Sequence, residues 1–550
     1  MRKIQLICIS LLLATSAAVA QTSSTFFRDL AETRNYSLGR PLAPAFTPDN
    51  RTVIFLRGGA RDPVLRLYAF DIASGQEREL ISPEQILAGA DETLSPEEKA
   101  RRERARISTR GFTAFELSQD GKRIVVTLSG KLYLLPLDTL EVVALPGSNW
   151  IDPRLSPDGN FLAAVKDNDL HVIDLATRAV SQVTTGATET LHHAVAEFVA
   201  QEEMSRREGY WWSPDSDWIV YQENDESGVE VRYIADPLHP EFVPQPFFYP
   251  RTGTANTKVR LGVIARHGGP TQWIDWERDK YPYLARVIWS EAAAPLTLVV
   301  QNRSQQEELV LAADPTSGKT RTLLTEKDPA WINLDDSEMP AWFSDGQQFL
   351  WTTERGGTWQ VELHRADGTL ERVLTPKDFR YSRVLAHDEA NGAIYVQGGP
   401  DPREAHIWRF PLDGGAGTAL TADPGVHSAV FSEDATVYVH SYHRRDGVVG
   451  AEIVRDGMPV AQLPSVAEVP PDLPQVELTR VNVGKGTKAA RTFDAAIVRP
   501  RPFEVGRKYP VILSVYAGPT AKMVTSALRA YFADQWMADQ GYVVVRIDGR

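Results

Sequence analysis

Beyond Pro44 the chain alternates apolar and polar residues in short runs, each bounded by a cluster of turn-forming residues. One full copy of the unit reads Ser156-Pro157-Asp158-Gly159, the run NFLAAV, the turn KDND, the run LHVIDL, and AVSQVT ending at Thr184. Alternation with a period of two marks half-buried strands, and Asp and Gly supply the turn geometry between them. Related turns fall near Asp49, Asp120, Asp158, Asp215, Asp345 and Asp434, with degenerate copies near Ala294 and Asn391. The closing pairs Leu324-Thr325, Leu374-Thr375 and Leu420-Thr421 stand 50 and 46 residues apart, the length of a four-stranded propeller blade. Counting the degenerate copies, the pattern predicts an eight-bladed β-propeller over 44–464. A β-sandwich would not return the same turn and closing pair at blade length.

Two insertions break the period. LSPEEKARRERARI predicts a helix with Ser95 as N-cap, Pro96 at its first position and Glu98 closing a capping box, its charges forming a solvated face. FVAQEEMSRREGYWWSPDSDWIVYQEND, Phe198 to Asp225, predicts a short helix carrying the adjacent Glu202 and Glu203 before the strand pattern resumes at Trp211-Trp212-Ser213-Pro214-Asp215. Two neighbouring carboxylates repel unless a cation sits between them, and whether they point inward or outward decides what they do. Taken alone, such a pair is usually solvated surface.

After Ser465 a proline-rich linker, VAEVPPDLPQ, ends the repeat. TFDAAIVRP, KYPVILSVYAGP, the helical run SALRAYFADQWMADQ and GYVVVRIDGR follow, and continuous apolar strands around a helix predict parallel βαβ packing over 475–550. The start of the chain has Arg2 and Lys3, an apolar run from Ile4, and Ala18-Val19-Ala20 before Gln21. This pattern predicts a cleaved secretory signal over 1–20, hence a periplasmic or secreted protein, with a lead-in of undefined structure over 21–43. The single cysteine, Cys8, lies inside that signal. The net charge of −13, which becomes −15 once Arg2 and Lys3 leave, argues against nucleic acid or an anionic membrane as partner. No later apolar stretch has the length of a transmembrane helix.

QEEM followed by GYWWSPD, together with VYAGP near the C-terminal end, resembles the dipeptidyl peptidase IV family of serine peptidases, which join a β-propeller to an α/β-hydrolase domain. The resemblance covers nearly all of the chain after the signal. It implies an exported enzyme that removes dipeptides from free peptide amino termini, preferring Pro or Ala second, without cofactor or metal, and it allows a homodimer. Glu202 and Glu203 would bind the substrate ammonium. Tyr516 would donate a hydrogen bond to the oxyanion formed in acyl transfer, a need met by a preorganised donor aimed at developing charge. The family's nucleophile, acid and histidine all follow VRIDGR, and no G-x-S-x-G occurs in these residues. The expectation is therefore a chain interrupted at Arg550, with roughly two hundred hydrolase residues to come. Two rivals stand beside this reading: an oligopeptidase or acylaminoacyl peptidase of similar build, and a non-catalytic periplasmic propeller that binds other molecules.

Three further motifs carry blander readings. HGGP at His267–Pro270 resembles a lipase oxyanion loop but joins two strands of the repeat, which makes it a hairpin turn. SGKT at Ser317–Thr320 ends like a phosphate-binding loop but has Ala313 where the required earlier glycine belongs. His192-His193 has no ligand partner at metal-site spacing.

Overall fold

The computed structural model describes residues 25–484, 486, 490–516, 518 and 521–549, so the expected signal at 1–20 lies outside the described residues. The chain is mainly β. Eight antiparallel sheets follow one another, each with four strand positions in sequence order. The third shows the plan in its plainest form, with strands Ile151–Leu155, Phe161–Lys166, Asp169–Asp174 and Val180–Gln182. The recurring turn joins the first strand to the second because its side chains satisfy the backbone locally. Ser156 donates to Asp158 at 2.5 Å, Asp158 accepts the Asn160 amide at 2.9 Å, and the Phe161 amide closes on Ser156 at 3.0 Å. The same hydroxyl-to-carboxylate bond recurs at Thr47–Asp49, Ser118–Asp120, Ser213–Asp215 and Ser432–Asp434. The closing threonine acts on a different strand. Thr184, Thr375 and Thr421 each accept the amide that opens a third strand, from Leu170, Val361 and Ile407.

Each sheet buries its apolar face against the next. Ile124 and Val126 pack with Leu56 and Leu67, Leu162 and Ala164 with Leu132 and Leu134, and the series continues to Val454 and Ile407. The eighth sheet then returns to the first: Val437, Val439 and Ile453 share a core with Val53, Phe55 and Phe70. Asn50 bonds to Asp434 at 2.9 Å and Arg455 to the Asn50 carbonyl at 2.6 Å, so the series closes on itself. First strands of neighbouring sheets touch, as Phe115–Leu117 does Ile151–Leu155 and Gly425–Phe431 does Leu42–Phe46. They therefore face a common axis.

The C-terminal unit meets the expected parallel βαβ packing in part. Its sheet is mixed, in the order Val476–Val483, Arg491–Val498, Val543–Ile547, Val511–Ser514. Only the last two strands run parallel, joined by the crossover that holds helix Phe532–Asp539. The lead-in also has structure. Residues 25–32 are helical, Phe26 and Phe27 pack on Trp536, and Tyr36 packs on Phe532, so this segment belongs with the C-terminal unit in space. Arg403 and Glu404, in the loop before the third strand of the seventh sheet, meet the same unit through the Ser526 amide and hydroxyl, at 2.8 and 3.1 Å. Among the described residues no helix is long and apolar enough to cross a membrane.

Candidate substrate-amine site

The fourth sheet is the irregular one. Its first strand is split: Leu191–His193 and Tyr210–Trp212 both pair with Trp218–Asp225, and the chain between them leaves the sheet. A bridge between Val195 and Glu208 closes the base of this excursion. Gly209 stands where the strand resumes, and a Cβ there would lie 2.3 Å from the Ala194 carbonyl carbon, so only glycine allows the two halves to approach.

Within the excursion lies the helix Phe198–Glu203. Its N-cap is Glu197, whose buried carboxylate accepts the amides of Val199 and Ala200; burial raises its pKa, with Arg206 opposing. Glu202 and Glu203 fall in the last turn, where the helix dipole is negative. The fold compensates with buried arginines. Arg286, in the first strand of the fifth sheet, donates to the Met204 carbonyl just past the helix and to the Asp335 carbonyl, both at 2.6 Å. Arg206 donates to Gln222 at 2.7 Å and to the Leu284 carbonyl at 3.0 Å, and burial holds its pKa down to about 10. The helix lies against that same axial strand, Tyr283–Ile288. The excursion therefore places the helix beside the axial strand.

Glu202 is half-buried and Glu203 exposed. The nearest cation to Glu202 is Arg106, at 3.8 Å on a well-exposed side chain. Arg106 follows the other insertion, helix Pro96–Arg104, whose Arg104 reaches Gln201 at 3.3 Å and covers the Phe198 ring. The two insertions thus meet, a pairing that nothing in their sequence spacing reveals. The first insertion also corrects the expected solvated face. Ser95 caps the Glu98 amide, but Glu98 does not reach back to complete the box: it is buried and bonds Arg101 at 2.6 Å and Arg102 at 2.7 Å, and Arg102 continues to Glu92 at 2.8 Å. Tyr516 lies elsewhere, just past strand Val511–Ser514 in the C-terminal unit, and is 59% exposed.

The three blander motifs take their expected places. HGGP is the turn between Lys258–Ala265 and Gln272–Trp273, with Gly268 at φ +85°. SGKT closes a turn on Asp314, which accepts from Thr316 and Ser317. His193 is a core residue between Asp169 at 2.7 Å and Glu223 at 3.2 Å.

A closed series of antiparallel sheets around an axis, with one inner strand opened to admit a short helix beside that axis, defines a β-propeller. A profile described as the dipeptidyl peptidase IV (DPP IV) N-terminal region matches residues 118–447, well over half of the chain. The chain belongs to that family. It is 24% identical over 562 residues to dipeptidyl peptidase 8 of Mus musculus, a match covering 83% of this chain and 62% of that protein. To the probable dipeptidyl-aminopeptidase B of Emericella nidulans it is 27% identical over 450 residues, covering 73% and 48%. The chain thus spans less than two thirds of these relatives' lengths. The crystal structure of Porphyromonas gingivalis dipeptidyl peptidase 4 superposes with a TM-score of 0.78 at 20% identity, covering 96% of this chain and 73% of that one, a likeness of fold.

Proposed function

We propose that this chain is the recognition half of an exported, serine-type dipeptidyl peptidase that releases dipeptides from free amino termini, with Pro or Ala preferred second. The observation that carries the reading is the inward helix whose last turn leaves Glu202 and Glu203 with little cationic partnership of their own. In this reading the eight sheets are eight propeller blades, and residues 475–550 begin an α/β-hydrolase domain. The substrate ammonium takes the place of the missing cation, and the end of the helix blocks longer extension beyond it. Arg106, beside Glu202, is the candidate to hold the peptide carbonyl, and Tyr516 is the oxyanion donor. The 550 residues contain no G-x-S-x-G, so hydrolysis is proposed for the protein that carries the nucleophile. A homodimer is proposed through the ribbon Val231–Ile234 and Gln245–Phe248, which the fourth sheet extends with Tyr233, Leu238, Phe242 and Val243 exposed.

Each charge-assisted contact to the ammonium contributes about 1.5–3 kcal/mol in a desolvated site. In the nucleophile-containing enzyme, alanine at Glu202 or Glu203 is therefore expected to lower kcat/KM on free-amine dipeptide substrates by about tenfold or more while sparing N-acetylated ones. Equal losses on both substrates, or none, would sink the assignment. Tyr516→Phe is expected to lower kcat by about a hundredfold, as for loss of one oxyanion donor. An effect confined to KM would remove Tyr516 from that role.

A further inference from the structure

The seam where the N-terminal segment, the eighth sheet and the C-terminal unit meet collects positive charge. Arg40 enters it just after Gly39, whose carbonyl accepts from the Val466 amide at 2.8 Å and the Ser465 hydroxyl at 3.2 Å. His443 comes from strand Val437–Arg444, and Arg529 from the 3₁₀ turn Leu528–Tyr531 that packs against that strand. Asn35 fixes Arg529: its side chain donates to the Arg529 carbonyl at 3.3 Å, and its own carbonyl accepts from the guanidinium at 3.4 Å. Nη1 of Arg40 and Nδ1 of His443 are both buried and have no hydrogen-bond partner among the described residues.

The electrostatics agree with that geometry. Burial, with Arg529 adding to it, holds the Arg40 guanidinium down to about 10, and burial with Arg40 and Arg529 pushes the His443 imidazole down to about 4. Among the described residues no carboxylate is one of the groups acting on any of the three. At neutral pH this leaves two guanidinium charges and a neutral imidazole with an unmet polar atom. Partly buried like charges without a counter-ion are unfavourable, and unsatisfied buried donors add to the cost.

We propose that Arg40, Arg529 and His443 form a binding site for a small oxyanion of the phosphate or sulfate class, which ties the N-terminal segment and the C-terminal unit to the eighth sheet. The planar guanidinium fork suits such oxygens, and a neutral imidazole protonated at Nδ1 supplies a further donor. The site is independent of the amine site and of the proposed peptidase reading.

Calorimetric titration of the 550-residue chain with sodium phosphate, at ionic strength held constant with chloride, tests it. One phosphate per chain is expected, binding saturably and raising the unfolding temperature by about 2–4 °C at saturation. Arg40→Gln and Arg529→Gln are each expected to weaken binding about tenfold or more. A phosphate response no larger than that of chloride overturns the proposal, as does saturable binding that survives both substitutions. Should a glutamine variant fail to fold, Arg40→Lys keeps the charge but loses the fork; weakened binding supports the site and unchanged binding overturns it.

Discussion

Two short helices in this chain carry the same Glu-Glu dipeptide and put it to opposite uses. In Pro96–Arg104 the pair sits in the first turn, where the dipole favours anions, and buried Glu98 is held by Arg101 and Arg102. Burial alone would raise its pKa, but the two arginines outweigh it and hold the carboxyl below its usual range. In Phe198–Glu203 the pair sits in the last turn, against the dipole, and among the described residues its one ion-pair partner is the exposed Arg106. Glu98 of the first pair is part of what holds its helix together. The second is kept in place by Arg206 and Arg286, which bond to backbone and to Gln222 rather than to the glutamates. Placement on the helix and the choice of partner, not the dipeptide, separate a structural carboxylate from an available one.

The contrast can be broken at its strongest point first. Glu98→Ala leaves Arg102 with a buried charge and only Glu92 to meet it, and is expected to cost about 3–5 kcal/mol of unfolding free energy in urea. Its effect on catalysis should be equal for free and blocked amines; a selective loss on free amines would merge the two helices into one site. Arg286→Met removes the donors to Met204 and Asp335 and is expected to cost about 1.5–3 kcal/mol, with weaker binding of free-amine dipeptides as the helix end loosens. Retained affinity would show that the helix holds itself.

Glu308 is a third case, buried like Glu98 but bonded to a neutral amide, Gln301 at 2.8 Å. Burial pushes its pKa up to about 8. The folded state therefore keeps this proton after the unfolded chain has lost it, so stability falls as pH rises from the ordinary carboxylate range to about 8. Glu308→Gln is expected to be neutral near pH 4 and stabilising by about 1–3 kcal/mol at pH 9, measured as the difference between two denaturation series. The smallest effect belongs to Arg106→Gln, about 0.2–1 kcal/mol of stability, as for an exposed pair. A larger loss would mean that Glu202 is already neutralised by the fold.

What could be read in the sequence was what the sequence satisfies locally. The Ser-Pro-Asp-Gly turn is visible because its serine and aspartate close on amides two to five residues away, and the closing threonine caps a neighbouring strand. The helix with Glu202 and Glu203 was visible for the same reason, as a break in that pattern. The clamps were not. Arg286 lies 82 residues from Met204, and nothing in LARVI distinguishes a buried clamp from an ordinary strand residue. The ribbon at 231–248 is not legible in the sequence because its apolar side chains face solvent, where strand periodicity has no core to answer to. Nor is the mixed sheet, because Val476–Val483 alternates weakly and its antiparallel partner is set by pairing, not by composition.

Closure of the ring sets the order in which the chain can mature. Within each sheet the strands are sequence neighbours and pair as soon as they are made, whereas the Asn50–Asp434 contact joins residues 384 apart. At roughly 5–20 residues per second of synthesis, the first sheet waits ~20–80 s for the eighth. Through that interval the face bearing Val53, Phe55 and Phe70 lacks the partners that finally cover it. Chaperone capture competes within this window, so the last sheet acts as a clasp whose arrival ends the chain's exposure to aggregation.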